Sequence, residues 1–384
     1  MGTSLITIPF AVSLAGFWPS VIAIILSWFF LLLTGFLFLE GILANPPGKN
    51  IFTITHRYSG IGGAWFSSIV LIFTNYGYFI FFFYLAAPLA SEILNFFGLN
   101  LPPAATLASL VAILGCCVAL GLYATLWFNV VLIIGIVFLV TKSFLIGFTF
   151  NATIPITKLQ WDFLFIVFPT VINSLYYNTL LPSVAPLLKY NKKQLQLAIL
   201  FAMSGVAILF SCWLWMAITA SVGQSTGLNR LNPQSLSFSS LSRVPLFGKW
   251  LPALLVLNVS ATSLAVGTIL IDFFADMLNI SLHRRKGFIR IALCALAFIP
   301  PFLINLVPSR FLYEAALYVT DIGPLYLTGL LPVMWAWSAR YFYQDKHPVL
   351  VFGGKIVLLL IAIFSCFIFY LVGLEIFYQR TFGQ

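Results

Sequence analysis

Charge is what this sequence has least of. Only 7% of its 384 residues are Asp, Glu, Lys or Arg, while 61% are hydrophobic. A soluble chain of that length needs far more polar residues to cover its surface, so a soluble globular fold is excluded. Polar interruptions are scarce as well. Apolar runs repeatedly exceed the ~18 residues a helix needs to cross a bilayer, whereas a membrane barrel would show alternating strands of about 10. Histidine is nearly absent: His56, His283 and His347 all fall between apolar runs. With no intramembrane His, no protease-like aspartate pair and no Ser–His arrangement, the chain lacks the convergent groups an intramembrane enzyme requires. Rings of charge and a filter sequence, the marks of a channel, are missing too. The five cysteines (Cys116, Cys117, Cys212, Cys294 and Cys366) lie inside apolar segments at spacings that fit no disulfide or zinc framework. No metal site and no cofactor is expected. No charged n-region or cleavage site precedes the first apolar run, so no signal peptide is expected. The formal net charge of +10 is not gathered into a basic stripe, which argues against nucleic acid as a partner.

What is there is a series of about eleven apolar spans, an all-α polytopic membrane protein. They fall near Thr3–Phe17, Pro19–Leu43, Gly63–Ala90, Ala104–Leu126, Asn129–Phe148 and Asp162–Leu188. Five more follow near Leu195–Val222, Trp250–Ile280, Phe288–Leu306, Phe311–Ser338 and Val349–Tyr378. The polar stretch Gly223–Lys249 reads as an extramembrane loop, and no separate soluble domain is visible. Of the nineteen Lys and Arg, twelve fall on the side that carries Lys192-Lys193 and Arg284–Lys286, and six on the other. The positive side faces the cytoplasm, which places the N-terminus inside and the C-terminus outside.

Two spans are interrupted. The first carries Gly2-Thr-Ser-Leu-Ile-Thr-Ile-Pro9. The sixth carries Pro169-Thr-Val-Ile-Asn-Ser174, then Tyr176-Tyr-Asn-Thr179 and Pro182. Proline removes an amide donor, and clustered Ser, Thr and Asn replace the lost backbone bonds. The two spans are five apart, an odd number, so two five-helix halves (about 1–150 and 160–340) would have opposite orientation. Broken helices at matching positions of inverted repeats point to a binding site at the membrane midplane. The plainer alternative is a pair of ordinary proline kinks.

Ionisable groups inside spans cost at least ~2.5 kcal/mol each on insertion scales, so each is a functional candidate. Asp321 lies about ten residues into span ten, ahead of Gly323-Pro324, roughly 15 Å deep at ~1.5 Å per residue. Lys142 lies at a similar depth in span five. The two are expected to pair, or one of them to couple transport to protons, because a low dielectric favours the neutral form of each. Lys142 could instead snorkel to the interface. Asp272 and Asp276 sit one turn apart at the end of span eight, before His283-Arg284-Arg285-Lys286. Asp276 is expected to pair with those bases, and Asp272 is kept as a third coupling candidate. Glu40, closing span two, is expected to pack against neighbouring bases.

The opening Gly2–Pro9 with Ala15-Gly16-Phe17 is similar to the start of the tryptophan/tyrosine permease (hydroxy/aromatic amino acid permease) family. Leu39-Glu40, Asn178-Thr-Leu-Leu-Pro-Ser183, Ala261-Thr-Ser263 leading to Asp272-Phe-Phe-Ala-Asp276, Pro300-Pro301 and Leu331-Pro332 with Trp335-Ala-Trp337 continue a co-linear series. The resemblance covers nearly the whole chain. It implies eleven helices in the five-plus-five inverted repeat of the amino acid–polyamine–organocation superfamily, with an extra helix at about 349–378. It also implies import of Tyr, Trp or Phe across a bacterial inner membrane by proton symport and alternating access. Two departures stand out. Family members carry about ten residues ahead of the first-helix motif, whereas Met1 falls at the break here, so either the true start lies upstream or the permease is transport-impaired. And Tyr176 stands where the family usually has Gly, which narrows the cavity and leaves another neutral amino acid open as the substrate.

For an amino acid zwitterion, half-helix N-termini and unwound carbonyls supply donors and acceptors without buried charge. These are placed at Thr3, Ser4 and Thr7 of span one and Thr170, Asn173, Ser174 and Asn178 of span six, with Thr262 and Ser263 of span eight completing the polar wall. That hydroxyl pair could equally line a sodium site. An aromatic side chain would stack on Tyr176, Tyr177 and the Asn75–Tyr78 segment of span three.

Overall fold

Long apolar runs become long helices because a backbone in lipid has no water to satisfy it and must close its hydrogen bonds internally. The computed structural model describes residues 15–148, 161, 164–222, 250–307, 309–344 and 349–382. Among them helix is the sole regular structure, and eight helices are long and apolar enough to cross a membrane. These are α1 (Phe17–Leu43), α2 (Ile51–Phe96), α4 (Leu122–Phe148), α7 (Lys192–Val222), α8 (Leu251–Met277), α9 (Gly287–Leu306), a helix from Arg310 to Phe342, and α12 (Gly354–Phe382). Of the other spans read from the sequence, the fourth is the shorter apolar helix α3 (Pro103–Ala119). The sixth is broken into α5 (Leu164–Ser174), a turn at Asn178–Leu180 and the short α6 (Leu181–Val184). Most of the first, with Gly2–Pro9 and the candidates Thr3, Ser4 and Thr7, lies outside the described residues, as does the loop Gly223–Lys249.

Local chemistry sets the helix limits. After α1, Pro46 and Pro47 cannot continue a helix, and the Asn45 amide donates back to the Gly41 carbonyl at 2.7 Å. The 46 residues of α2 would reach about 70 Å if straight. They are divided at Gly60, whose φ of 71° is left-handed and open to glycine. A Cβ there would meet nothing within 4 Å, so conformation and not space asks for the glycine. His56, expected in a loop, lies on the helical piece ahead of this break. The Arg310–Phe342 helix runs as α10 (Arg310–Leu325), a π-turn at Tyr326–Leu330, α11 (Leu331–Trp337) and a second π-turn at Ser338–Phe342. Pro324 and Pro332 sit in it, and their missing amides release the regular bonding there.

Packing sorts the helices into centre and rim. In α8, 78% of the apolar window is buried, against 22% in α4. Large exposed side chains on α4, such as Trp127, Ile134 and Phe138, make the kind of surface that suits lipid. α8 packs on α2 and α4, α10 on α2 and α5, and α1 on α5, α7 and α11. Gly41 makes room for the Trp335 ring, which lies 4.7 Å from Phe38 and donates its Nε1–H to Thr55 Oγ1 at 3.1 Å.

Candidate functional site

The break after α5 is where the bundle gives up regular bonding. The helix carries Pro169 inside it and ends at Ser174. Residues 175–177 follow without helical structure, and the chain re-forms in the Asn178–Leu180 turn and α6, with Pro182 in its first turn. Ser174 Oγ donates to the Thr170 carbonyl at 2.7 Å. This local bond offsets part of the loss.

Three helices close around the break. From α1, the Leu31 carbonyl accepts the Tyr177 hydroxyl at 3.1 Å, and Thr34 Oγ1 accepts the Asn178 amide at 3.5 Å. Gly35 makes this approach possible, since a Cβ there would overlap the Tyr177 hydroxyl. From α2 come Asn75 and Tyr78. The Asn75 amide donates to the Leu71 carbonyl at 2.8 Å, and the Tyr78 ring lies near-parallel to Tyr176 with centroids 5.9 Å apart. From α10 comes Asp321, whose Oδ1 and backbone carbonyl accept the Asn173 amide at 3.3 and 3.4 Å. Asp321 is brought to α2 by two glycines in register: a Cβ at Gly323 would overlap Thr74, and one at Gly77 would press on Thr320 and the Ala316 carbonyl. The Tyr78 hydroxyl is within electrostatic reach of Asp321.

The polar atoms here are under-satisfied. Asn75 Oδ1, Tyr78 Oη, Asn173 Oδ1 and Asn178 Oδ1 are buried without a hydrogen-bond partner among the described residues. Each such atom costs ~1–3 kcal/mol, more than a packed core tolerates by accident. The three amide oxygens accept hydrogen bonds, the Tyr78 hydroxyl accepts or donates, and Asp321 adds a carboxylate with no cationic partner among the described residues. The set suits a ligand that brings donors, such as an ammonium group, beside an aromatic wall.

The remaining candidates lie on other helices. Thr262 Oγ1 donates to its own helix at Asn258, 2.9 Å away, and Ser263 is fully buried with its hydroxyl unpartnered among the described residues. α8, which carries both, packs against the Asn178–Leu180 turn and α6. Lys142 does not pair with Asp321: its ammonium lies 3.7 Å from the centre of the Trp250 ring. α4 packs against α8 and α7, whereas α10 packs against α2 and α5, so equal depth did not bring the two side chains together. The pairing expected of Asp276 belongs to Asp272, which Arg285 meets at 3.2 Å. Asp276 instead accepts from the Thr53 amide at 3.0 Å and its hydroxyl at 2.8 Å, capping the first turn of α2. A helix N-terminus offers free amides and a positive dipole end, which outcompeted the more distant bases. Sequence reading passed over Leu31, Thr34 and Gly35. The signal for one of them was present: Gly35 is a lone glycine among large apolar residues, a mark of close approach.

The sequence pattern of the tryptophan/tyrosine permease family matches residues 1–372. A solved structure of MhsT in complex with L-phenylalanine superposes with a TM-score of 0.58 at 12% identity, over 97% of this chain and 95% of that one. The two share an all-helical transporter fold. No curated protein sequence matches the chain.

Proposed function

The chain belongs to the tryptophan/tyrosine permease family, and from that premise we propose that it imports aromatic amino acids (Tyr, Trp or Phe) by proton symport with alternating access. Membership makes it a multi-pass membrane protein and an amino acid transporter rather than an enzyme. The finer reading rests on one observation. The interrupted helix at 174–178 faces Asn75, Tyr78 and Asp321, so an aromatic wall, unpartnered acceptors and a half-buried carboxylate occupy one place. MhsT, of the same fold, was solved with L-phenylalanine.

In this reading the substrate ammonium lies among the acceptors of the break, with Thr170, Asn173, Ser174 and Asn178 around it, and its ring lies toward Tyr78. Thr3, Ser4 and Thr7 would complete the site from the first span, and Thr262 and Ser263 from α8. Asp321 carries the proton. A neutral Asp321 is the cheaper species in a low dielectric, and an ionised one attracts the ammonium. Inverted repeats at about 1–150 and 160–340, with the extra helix at about 349–378, would exchange access between a cytoplasmic side that holds the N-terminus and a periplasmic side that holds the C-terminus. The membrane is the bacterial inner membrane.

Radiolabelled tyrosine and tryptophan uptake into proteoliposomes, with and without an inward proton gradient, tests this. Uptake should rise with the gradient and collapse with an uncoupler. Competition by Leu or Ser but not by Trp or Phe would move the substrate to another neutral amino acid. Silence toward every amino acid tried would mark a permease-like protein that does not transport.

A further inference from the structure

Tyr78 stands on a regular helix, and its near-parallel neighbours are both rings of the protein. Phe82, one turn on, lies 5.6 Å away at 22°, and Tyr176 lies 5.9 Å away at 25°. A flat ligand ring that stacks on Tyr78 competes for space with these two rings. Phe82 is held in the core, 2% exposed and on the same helix as Tyr78. Tyr176 is held differently. Its backbone lies in the non-helical stretch between α5 and the Asn178–Leu180 turn. Its hydroxyl is tethered by Thr179 Oγ1 at 2.8 Å, three residues along the same segment, with Asn75 beside it. Segments without regular bonding open at lower cost than helices do.

We propose that Tyr176 is a displaceable cover over Tyr78: it occupies the face that the substrate's aromatic ring takes, and leaves when that ring arrives. The inference rests on the reading of this site as one for aromatic amino acids, and divides the labour within it. Tyr78 is the platform that prefers a ring, because a ring restores the stack it breaks and a branched aliphatic side chain does not. Tyr176 imposes one common penalty on every ligand. Aromatic stacking of this kind corresponds to roughly 2- to 12-fold in affinity.

Equilibrium binding of labelled tyrosine and leucine to the purified full chain in lipid nanodiscs reads both roles. Tyr176→Ala should tighten tyrosine and leucine binding alike, by about 2- to 12-fold, with their ratio unchanged. Tyr78→Leu should shrink the preference for tyrosine over leucine by a similar factor. Tyr176→Phe keeps the ring and loses the Thr179 tether, so it should tighten binding in the same direction by less. Weaker or unchanged tyrosine binding by a folded Tyr176→Ala chain overturns the proposal, since Tyr176 would then be a wall of the site or uninvolved. Should the alanine variant fail to fold in a thermal scan, the sign of the Tyr176→Phe change decides: tighter supports the cover, equal or weaker overturns it. A wild-type chain that binds neither tyrosine nor tryptophan fails the substrate reading itself, which is a separate outcome.

Discussion

Glu40 and Asp321 are both carboxylates within the helix bundle, and their surroundings are opposite. Glu40, 1% exposed, accepts Arg340 Nε and Nη2 at 2.6–3.1 Å and the backbone amides of Leu350 and Val351 at 2.6 and 2.8 Å. Arg340 in turn donates to the Val351 carbonyl at 3.0 Å. The cluster ties the segment ahead of α12 to the end of α1, and both carboxylate oxygens are used. Asp321 has one long bond from Asn173, at 3.3 Å, and no cation among the described residues. A buried charge surrounded by donors is a fixed part of a structure; one left short of them is free to change its protonation or its partner. The difference separates a carboxylate that holds helices from one that can take part in a cycle.

The sharpest way to break this comparison is Arg340→Met. It strands Glu40 with two backbone amides in a buried place, and the loss should be about 3–5 kcal/mol. Thermal unfolding in detergent or the yield of folded chain would read it. Replacing both partners with apolar residues should recover only part of the loss, because the Leu350 and Val351 amides would still lack their acceptor. If Arg340→Met melted like the wild type, Glu40 would not be the fixed member of the contrast.

Asp321→Asn comes next, with its effect on transport rather than on folding. The substitution keeps size and an acceptor for the Asn173 amide and removes the charge, so unfolding temperature should hold or rise. Uptake rates with and without an inward proton gradient should become equal. Full gradient dependence in this variant would remove Asp321 from coupling and leave Lys142 and Asp272 as candidates. Of those, Asp272 is already paired with Arg285 and Lys142 is engaged with Trp250.

The same contrast explains what the sequence made legible. The spans that fall among the described residues were readable because each is a largely apolar run, and the break in the sixth because Pro169, Asn173, Ser174 and Asn178 interrupt such a run. That Asp321 falls inside span ten was readable by counting residues; that Lys142 would not be its partner was not. Partners were not. Glu40 and Arg340 are 300 positions apart, and Asp276 and Thr53 are 223 apart. Depth along a helix follows from counting residues, but which face meets which neighbour depends on packing. That is why Lys142 and Asp321 matched in depth and still missed each other. Nor could sequence foresee that Tyr176 would lie on Tyr78, since Tyr176 sits on backbone with no period to read.

Asp276→Asn should have the smallest effect, and its smallness is informative. Asp276 is 4% exposed and looks in sequence like a second buried charge. Its oxygens meet the Thr53 amide and hydroxyl at the start of α2, where the helix dipole supplies partial positive charge and no cation is required. Asn keeps an acceptor for the Thr53 amide, and the Thr53 hydroxyl can turn to accept from its NH2, so the loss is chiefly the charge–dipole part, about 0.3–1 kcal/mol. Asp276→Ala, which removes the cap outright, should cost about 0.5–2 kcal/mol. Thermal unfolding of the two variants beside Arg340→Met would rank the three. A loss from Asp276→Asn as large as that from Arg340→Met would mean that Asp276 balances a cation after all. A loss near zero for both Asp276 variants would mean that the first turn of α2 is held by the Asn50 side chain, which accepts the Ile51 amide at 2.7 Å, without help from α8.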